Sequence, residues 1–214
     1  MGEVSLNTED VGSIGEAAWI QMIRHPDDMM RFRALVMLLW DDEFEFVENL
    51  RTSREVAEQV VALLDDPSPK VRGMAILALG RVRAIASIPK LTAILRHPDE
   101  TTPSKVMAVA ALANQRHPDT VRVLRYLANS PKAPLEVRES SLRALGELGD
   151  TVWLRKQMRC FRAATHWELR WALAQALMYA GMEEYRDLLR ELQNDPEIPK
   201  DLRSLARRHL QAKG

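Results

Sequence analysis

The sequence predicts an all-α fold in which about six helical hairpins stack into a solenoid. Three observations support this prediction: an apolar residue followed by Arg recurs along the chain, Ala and Leu follow most copies at helical spacing, and Pro, Gly or acidic residues separate the segments. With 46% hydrophobic and 28% charged residues, the 214-residue chain has the composition of a folded protein.

Six dipeptides mark the repeat, and in one of them Met replaces the Arg. They are Phe32-Arg33, Val71-Arg72, Val106-Met107, Val137-Arg138, Leu169-Arg170 and Leu202-Arg203. Successive copies are 39, 35, 31, 32 and 33 residues apart, and an acidic insertion over 41–48 accounts for the long first step. Periods in this range are typical of stacked helical repeats.

Each repeat is predicted to contain two helices. Within 70–82, Val71, Ala75, Ala78 and Leu79 form one apolar stripe of a helix. The predicted helices span 14–24, 28–40, 53–64, 69–82, 87–96, 104–114, 120–129, 135–147, 151–162, 166–179, 183–193 and 199–212. Since no hairpin buries its apolar residues alone, the hairpins 14–40, 53–82, 87–114, 120–147, 151–179 and 183–212 are expected to form one domain over 1–214.

Helix caps and turns are predicted from short motifs. The pairs with capping-box spacing are Ser13/Glu16, Thr52/Glu55 and Thr165/Glu168. The glycines expected at the joints between hairpins are Gly80, Gly146, Gly149 and Gly181. His-Pro-Asp occurs at 25–27, 97–99 and 117–119, and we expect it to form turns, although a J-domain co-chaperone uses the same tripeptide. Trp40 and Trp153 are expected to fill core positions.

The best copies of the repeat resemble the HEAT repeat family, particularly the short bacterial type named after phycobilisome lyases. One runs from Asp66 through Val71-Arg72 to Ala78-Leu79-Gly80, and a second contains Val137-Arg138 and Ala144-Leu145-Gly146. The resemblance implies a right-handed superhelix of HEAT-like hairpins. It also implies bonds between turn acids and helix arginines; the pairs with the required six-residue offset are Asp27/Arg33, Asp66/Arg72 and Glu197/Arg203.

In this family the second helices of the hairpins line the concave surface, which is where partners bind. The candidate binding residues mapped from the family are Lys70, Met74, Arg81, Lys105, Arg116, Glu139, Arg143, Trp167, Trp171 and Gln175, with Glu147 and Arg208 further along. Trp167 and Trp171 are four residues apart and therefore share a helix face. Tryptophan with arginine nearby is typical of binding hot spots. The alternative is that the two indoles pack between repeats.

Several chemistries lack their motifs. Cys160 is the single cysteine, no His is followed by Glu, and no phosphate-binding glycine loop occurs. We therefore expect no catalytic residues, metal or cofactor. No signal pattern or long apolar run is present, so we expect a cytoplasmic protein without membrane contact.

The sequence thus predicts a non-catalytic scaffold that binds a protein or peptide. Residues 1–104 carry a net charge of −6 and residues 105–214 of +6, which favours an acidic partner. The alternatives are a nucleic-acid binder resembling the HEAT-like alkylpurine DNA glycosylases, and a factor related to bilin lyases. A phosphate-binding track on Arg155, Lys156, Arg159 and Arg162 would support the first alternative, whereas a solvated helix face is the simpler interpretation.

Overall fold

The computed structural model describes residues 15–40, 45–82 and 84–211, and these residues contain helices and no strand. They form two compact units, 1–115 and 116–214. The helices of the first unit are α1 (Glu16–Ile23), α2 (Asp28–Trp40), α3 (Glu45–Thr52), α4 (Arg54–Ala62), α5 (Pro69–Val82), α6 (Ile88–Arg96) and α7 (Thr102–Gln115). Those of the second are α8 (Pro118–Asn129), α9 (Leu135–Glu147), α10 (Thr151–Arg162), α11 (Trp167–Tyr179), α12 (Glu184–Leu192) and α13 (Lys200–Gln211).

Helical hairpins stack within each unit, which confirms the predicted α-solenoid. In the first unit α2, α5 and α7 are the second helices of their hairpins, and they pack side by side in that order. In the second unit α9 packs on α11 in the same way, while α8, α10 and α12 pair with their hairpin partners. None of the described helices has the length and apolar composition to cross a bilayer.

Helix α3 was not predicted from the sequence. It lies in the segment interpreted as an acidic insertion, of which 41–44 fall outside the described residues. Val47 and Leu50 are buried and three residues apart, so one apolar side of α3 packs against the rest of the first unit. Arg51 donates from Nε to the carbonyl of Leu38 at 2.9 Å, which ties α3 to the end of α2.

The core follows the predicted apolar stripes, with one exception. Trp19 is fully buried, and its Nε1 donates to the carbonyl of Ala34 at 2.8 Å, which satisfies the indole N–H. Trp153 is buried as expected. Trp40 was expected in the core but is 64% exposed, because it is the last residue of α2.

Two of the four predicted joint glycines are inside helices instead. Gly149 and Gly181 have φ of +71° and +66° and end their helices as expected. Gly80 and Gly146 lie within α5 and α9, where backbones approach closely. A Cβ on Gly146 would lie 2.3 Å from the carbonyl oxygen of Ala176 on α11. At this position glycine is required by packing rather than by a turn.

The observed helix caps also differ from the predicted ones. The N-cap of α4 is Ser53, whose hydroxyl accepts from Val56 N, while Thr52 ends α3. The N-cap of α11 is His166, without a side-chain bond, so Thr165 does not form the expected cap. The pair Ser13/Glu16 cannot be described, since Ser13 lies outside the described residues.

All three His-Pro-Asp tripeptides make the same local hydrogen bond, at 25–27 and 97–99 between helices and at 117–119 at the start of α8. In each, the histidine Nδ1 accepts a hydrogen bond from the backbone N–H of the aspartate, at 3.1 Å for His25, 3.3 Å for His97 and 3.2 Å for His117. The expected connections between helices are observed at 25–27 and 97–99, whereas Pro118 and Asp119 already belong to α8 and His117 is its N-cap. In all three tripeptides the imidazole makes the recurring bond.

Arginines near the start of second helices bind turns both within and between repeats. Arg72 donates from Nη1 to the carbonyls of residues six and five positions earlier, Asp66 and Pro67, at 2.7 and 3.0 Å. Arg170 makes the same pair of bonds to Ala164 and Thr165. In the first repeat Arg31, rather than the predicted Arg33, makes them, to His25 and Pro26.

The acid partner of such an arginine comes from the next repeat, not from its own turn. Arg31 binds Asp66 through Nε at 2.7 Å and Nη2 at 3.0 Å, and Arg170 binds Glu197 at 2.6 Å. The expected pairs Asp27/Arg33 and Glu197/Arg203 are replaced by these. Burial is the largest single influence on the pKa of Asp66, and it raises that pKa. The hydrogen bonds from Arg31 and from the Ser68 N–H, together with the charges of Arg31 and Arg72, outweigh burial, so the pKa is lowered overall.

Candidate functional site

Five of the predicted binding residues lie on α9 and α11, two helices of the second unit that pack against each other. Their backbones touch where Gly146 meets Ala176. Seven residues earlier on α9, Glu139 lies close enough to Glu168 for that charge to raise its pKa. Glu168 is eight residues before Ala176, so the two contacts follow the same order on both helices. The helices therefore run parallel, and Glu139 is level with the first turns of α11.

The α11 side of this surface is aromatic. Trp167, Trp171 and Gln175 follow one another at four-residue spacing, and all three side chains are half-buried. Neither indole is fully buried and neither is fully exposed. The Oε1 atom of Gln175 is buried and accepts no hydrogen bond from the described residues.

The α9 side of this surface is charged. Glu139 is mostly buried, with 18% of its side chain exposed, and its Oε2 lies 3.7 Å from Nη1 of Arg143. Arg143 also donates from Nη2 to the hydroxyl of Ser140 at 3.2 Å. We call the surface formed by Glu139, Arg143, Trp167, Trp171 and Gln175 the α9–α11 face.

The pKa of Glu139 is raised above its ordinary value. Burial is the largest cause, because it penalises the carboxylate relative to the neutral acid. Arg143 acts in the opposite direction, while the negative charges of Glu168 and Glu136 raise the pKa further. The carboxylate of Glu139 is thus held in a place that disfavours its charge.

The predicted residues of the first unit have different environments. On α5, Lys70 and Arg81 are exposed and Met74 is half-buried. Arg81 donates from Nη2 to the carbonyl of Leu39 at 2.9 Å, which links α5 to the end of α2. Lys105 was expected to face solvent, but only 8% of it is exposed, because this turn of α7 packs inward.

Arg116 lies just beyond the end of its second helix. Helix α7 ends at Gln115, and Arg116 follows it in the left-handed region, with φ of +49°. It is exposed at the connection to α8 and lies on no second helix. Of the more distant candidates, Glu147 and Arg208 are exposed on α9 and α13.

Glu136 and Glu168 are functional candidates that were missed in the sequence. Glu168, on the same helix as the two tryptophans, is near enough to Glu139 on the neighbouring helix for its charge to raise the pKa of Glu139. The 32-residue step from Glu136 to Glu168 is the repeat step, and it could have signalled that the two occupy equivalent positions.

The basic residues of α10 are largely engaged by acids. Arg155 pairs with Glu184 at 3.1 Å, and Arg162 pairs with Glu191, so both bind the neighbouring outer helix α12. Lys156 and Arg159 are exposed beside them. This arrangement favours the solvated face over a phosphate track. Cys160 is exposed on the same helix.

The described residues contain no group of three His, Cys, Asp or Glu side chains arranged to hold a metal ion. With charge on α9 and indoles on α11, the α9–α11 face has the composition of a binding surface. None of its five residues is Ser, Thr or Cys, so the face supplies no hydroxyl or thiol nucleophile for acyl transfer.

Comparison with known proteins supports the repeat architecture. The family model described as HEAT repeats matches residues 16–106 and 99–177. A chain from the complex of CpcE and CpcF of phycocyanin lyase from Nostoc sp. PCC7120 is similar in structure, with a TM-score of 0.63 and 18% identity over 96% of this chain and 79% of that one. An engineered protein has a TM-score of 0.51 and 18% identity over 90% of this chain and 96% of its own. No curated protein matches the sequence.

Proposed function

This chain belongs to the HEAT repeat family, and we propose from that premise that it is a non-catalytic scaffold whose α9–α11 face binds a protein or peptide. The observation that carries the proposal is the pair Trp167 and Trp171, which are half-buried on one face of α11, the helix that packs against the Glu139–Arg143 pair's helix α9. Large aromatic side chains that are partly exposed in this way supply much of the binding energy of protein interfaces.

The similar lyase chain adds one general point. Its structure is that of a complex of two proteins, so the fold can present an interface to another chain. At 18% identity the similarity concerns the fold, and it transfers no activity to this chain. Binding to a protein partner is therefore proposed here from the α9–α11 face itself.

The proposal is tested with a Trp167→Ala/Trp171→Ala double variant. The wild-type chain is used to capture partners from the cell of origin, and the affinity of each purified partner is then measured for both proteins. We expect the double variant to bind about tenfold to a hundredfold more weakly, since truncating an interface hot spot costs about 1–3 kcal/mol.

Trp40→Ala is the matched control, because Trp40 is also an exposed indole but lies in the first unit. It should retain wild-type affinity. Circular dichroism confirms that each variant is folded. If the folded double variant binds as tightly as wild type, the α9–α11 face is not the binding site.

A further inference from the structure

A cleft of about 650 Å³ in the second unit lies between the start of α8 and the connection from α9 to α10. Residues 116–118 and Val121, Arg122 and Arg125 line one side, and residues 148–150 line the other. Two hydrogen bonds from Arg125 to Asp150 join the two sides. We call this feature the α8–α10 cleft.

Cations outnumber acids in the α8–α10 cleft. Its lining contains three arginines and a histidine, against a single acid, Asp150. Arg125 occupies both oxygens of that acid, through Nε at 2.6 Å and Nη2 at 2.8 Å, and only 9% of the Asp150 side chain is exposed. Because this pair neutralises itself, the uncompensated positive charge of the cleft comes from Arg116 and Arg122.

Arg116 and Arg122 are both available to an anion. Among the described residues no acid pairs with Arg116, which is exposed. Its backbone lies in the left-handed region, with φ of +49°, a conformation that arginine rarely adopts. Arg122 pairs with Asp119 on its own helix, but 77% and 51% of the two side chains are exposed. An ion pair this exposed is weak, so Arg122 can exchange Asp119 for a carboxylate of a ligand.

The start of α10 adds a smaller positive contribution. Asp150 precedes this 12-residue helix but makes no side-chain cap, since both its oxygens bind Arg125. The first N–H groups of α10 therefore lack a side-chain acceptor from their N-cap residue. The positive end of the helix dipole thus lies next to the cleft.

Three apolar side chains lie among these cations. Pro118 is exposed, and Val121 and Leu148 are half-buried. A ligand that matches this lining combines carboxylates with apolar side chains, as an acidic segment of a protein does. A nucleic-acid strand instead needs a row of cations that follows its phosphates, which two arginines do not form.

We propose that the α8–α10 cleft binds an acidic segment of a protein partner. Carboxylates of the segment pair with Arg116 and Arg122, whose planar guanidiniums suit carboxylates, and a neighbouring apolar side chain packs on Val121 and Leu148. The cleft shares no residue with the α9–α11 face, so this inference goes beyond the function proposed for that face.

The test measures binding of the full chain to a short fluorescein-labelled peptide of alternating glutamate and leucine, by fluorescence anisotropy. A second peptide has glutamine in place of every glutamate. Arg116→Gly/Arg122→Gln removes both uncompensated cations, and because glycine suits the left-handed backbone at 116, this variant should melt no lower than wild type. Lys156→Gln/Arg159→Gln, at exposed positions of α10 outside the cleft, removes the same charge and is the matched control.

We expect wild type and the control variant to bind the glutamate peptide more tightly than the glutamine peptide. The cleft variant should lose about fivefold or more in affinity for the glutamate peptide. Equal affinity for the two peptides, or equal losses in the cleft and control variants, overturns the proposal. Competition by a single-stranded oligonucleotide, or by inorganic phosphate, at lower concentration than by unlabelled glutamate peptide overturns it as well, because the cleft would then prefer phosphate.

The two proposals can fail separately. Trp167 and Trp171 do not line the cleft, so Trp167→Ala/Trp171→Ala should bind the glutamate peptide like wild type. If that variant loses a captured partner while the peptides are not distinguished, the α9–α11 face stands and the cleft is wrong. If the peptide requires the cleft arginines while the tryptophan variant binds every partner normally, the cleft stands and the α9–α11 face is wrong.

Discussion

Glycine at position 146 is required by the packing of α9 on α11, and this can be tested. Gly146→Ala would place a Cβ 2.3 Å from the Ala176 carbonyl oxygen and 2.5 Å from its Cα. Both are backbone atoms that cannot rotate away. We expect a loss of about 1–3 kcal/mol in the free energy of unfolding, measured by urea denaturation.

Gly73→Ala is the matched control for that change. Gly73 is also inside a helix, α5, but a Cβ there would have Met107 Cε at 3.7 Å as its nearest neighbour. Since alanine favours helices more than glycine does, this variant should gain about 0.5–1 kcal/mol. A Gly146→Ala protein as stable as wild type would mean that α9 and α11 do not touch at this residue.

The charge of Glu139 is expected to cost stability. A carboxyl whose pKa is higher in the folded state binds more protons when folded, so the stability falls as the pH rises through that pKa. Glu139→Gln removes this loss. Its melting temperature should exceed that of wild type at pH 7, and the difference should shrink as the pH falls through the raised pKa towards 4.5, the ordinary pKa of the group, and be smallest below it.

Glu147→Gln, at an exposed position of the same helix, corrects for the general effect of losing one negative charge. Lower stability of Glu139→Gln at pH 7 would show that the carboxylate is held mainly by Arg143 and stabilises the fold. A side chain that costs the fold stability is typical of a functional site, where function and stability trade against each other.

At the scale of elements, the first repeat differs from its prediction in which arginine occupies the repeat's arginine position. Met30-Arg31 and Phe32-Arg33 both match an apolar residue followed by arginine, so the sequence alone allowed either. Arg31 makes the bonds that Arg72 and Arg170 make in their repeats, and its pair with Asp66 is buried, with 11% and 4% of the two side chains exposed.

Arg31→Ala should therefore destabilise the protein by about 3 kcal/mol or more, because it leaves the Asp66 carboxylate buried without its cation. Arg33→Ala, at an exposed position two residues away, should change stability by less than about 0.5 kcal/mol. Thermal and urea unfolding of both variants measure the difference. Equal losses of stability in the two variants would contradict the assignment of this role to Arg31 alone.

The stacked hairpins could be predicted because helical periodicity repeats in the sequence, whereas contacts between helices could not. Helix α3 was missed since its buried pair, Val47 and Leu50, lies among acidic residues that suggested a loop. At the candidate site, the spacing of Trp167 and Trp171 placed them on one face. The effect of the Glu168 charge on the pKa of Glu139 depends on how α9 is aligned with α11. The close approach of Gly146 to Ala176 fixes that alignment, and the sequence did not reveal it.

At the scale of the whole molecule, charge argues against nucleic acid as the partner. The chain has a net charge of zero, so it has no overall field to attract phosphates. Arg155 and Arg162, the ends of the suggested track on α10, are paired with glutamates of α12. A duplex-binding protein needs unpaired cations, since counterion release from phosphates supplies most non-specific affinity.

We therefore expect no binding of duplex DNA at about 50 mM salt, measured by fluorescence anisotropy. The variant Glu184→Gln/Glu191→Gln frees both arginines and raises the net charge by two, so it tests whether the assay would detect a basic track on α10. Binding by the wild-type chain, with an affinity that falls steeply as salt is added, would instead show that Lys156, Arg159 and their neighbours contact phosphates. The α9–α11 face would then no longer be the main candidate for binding.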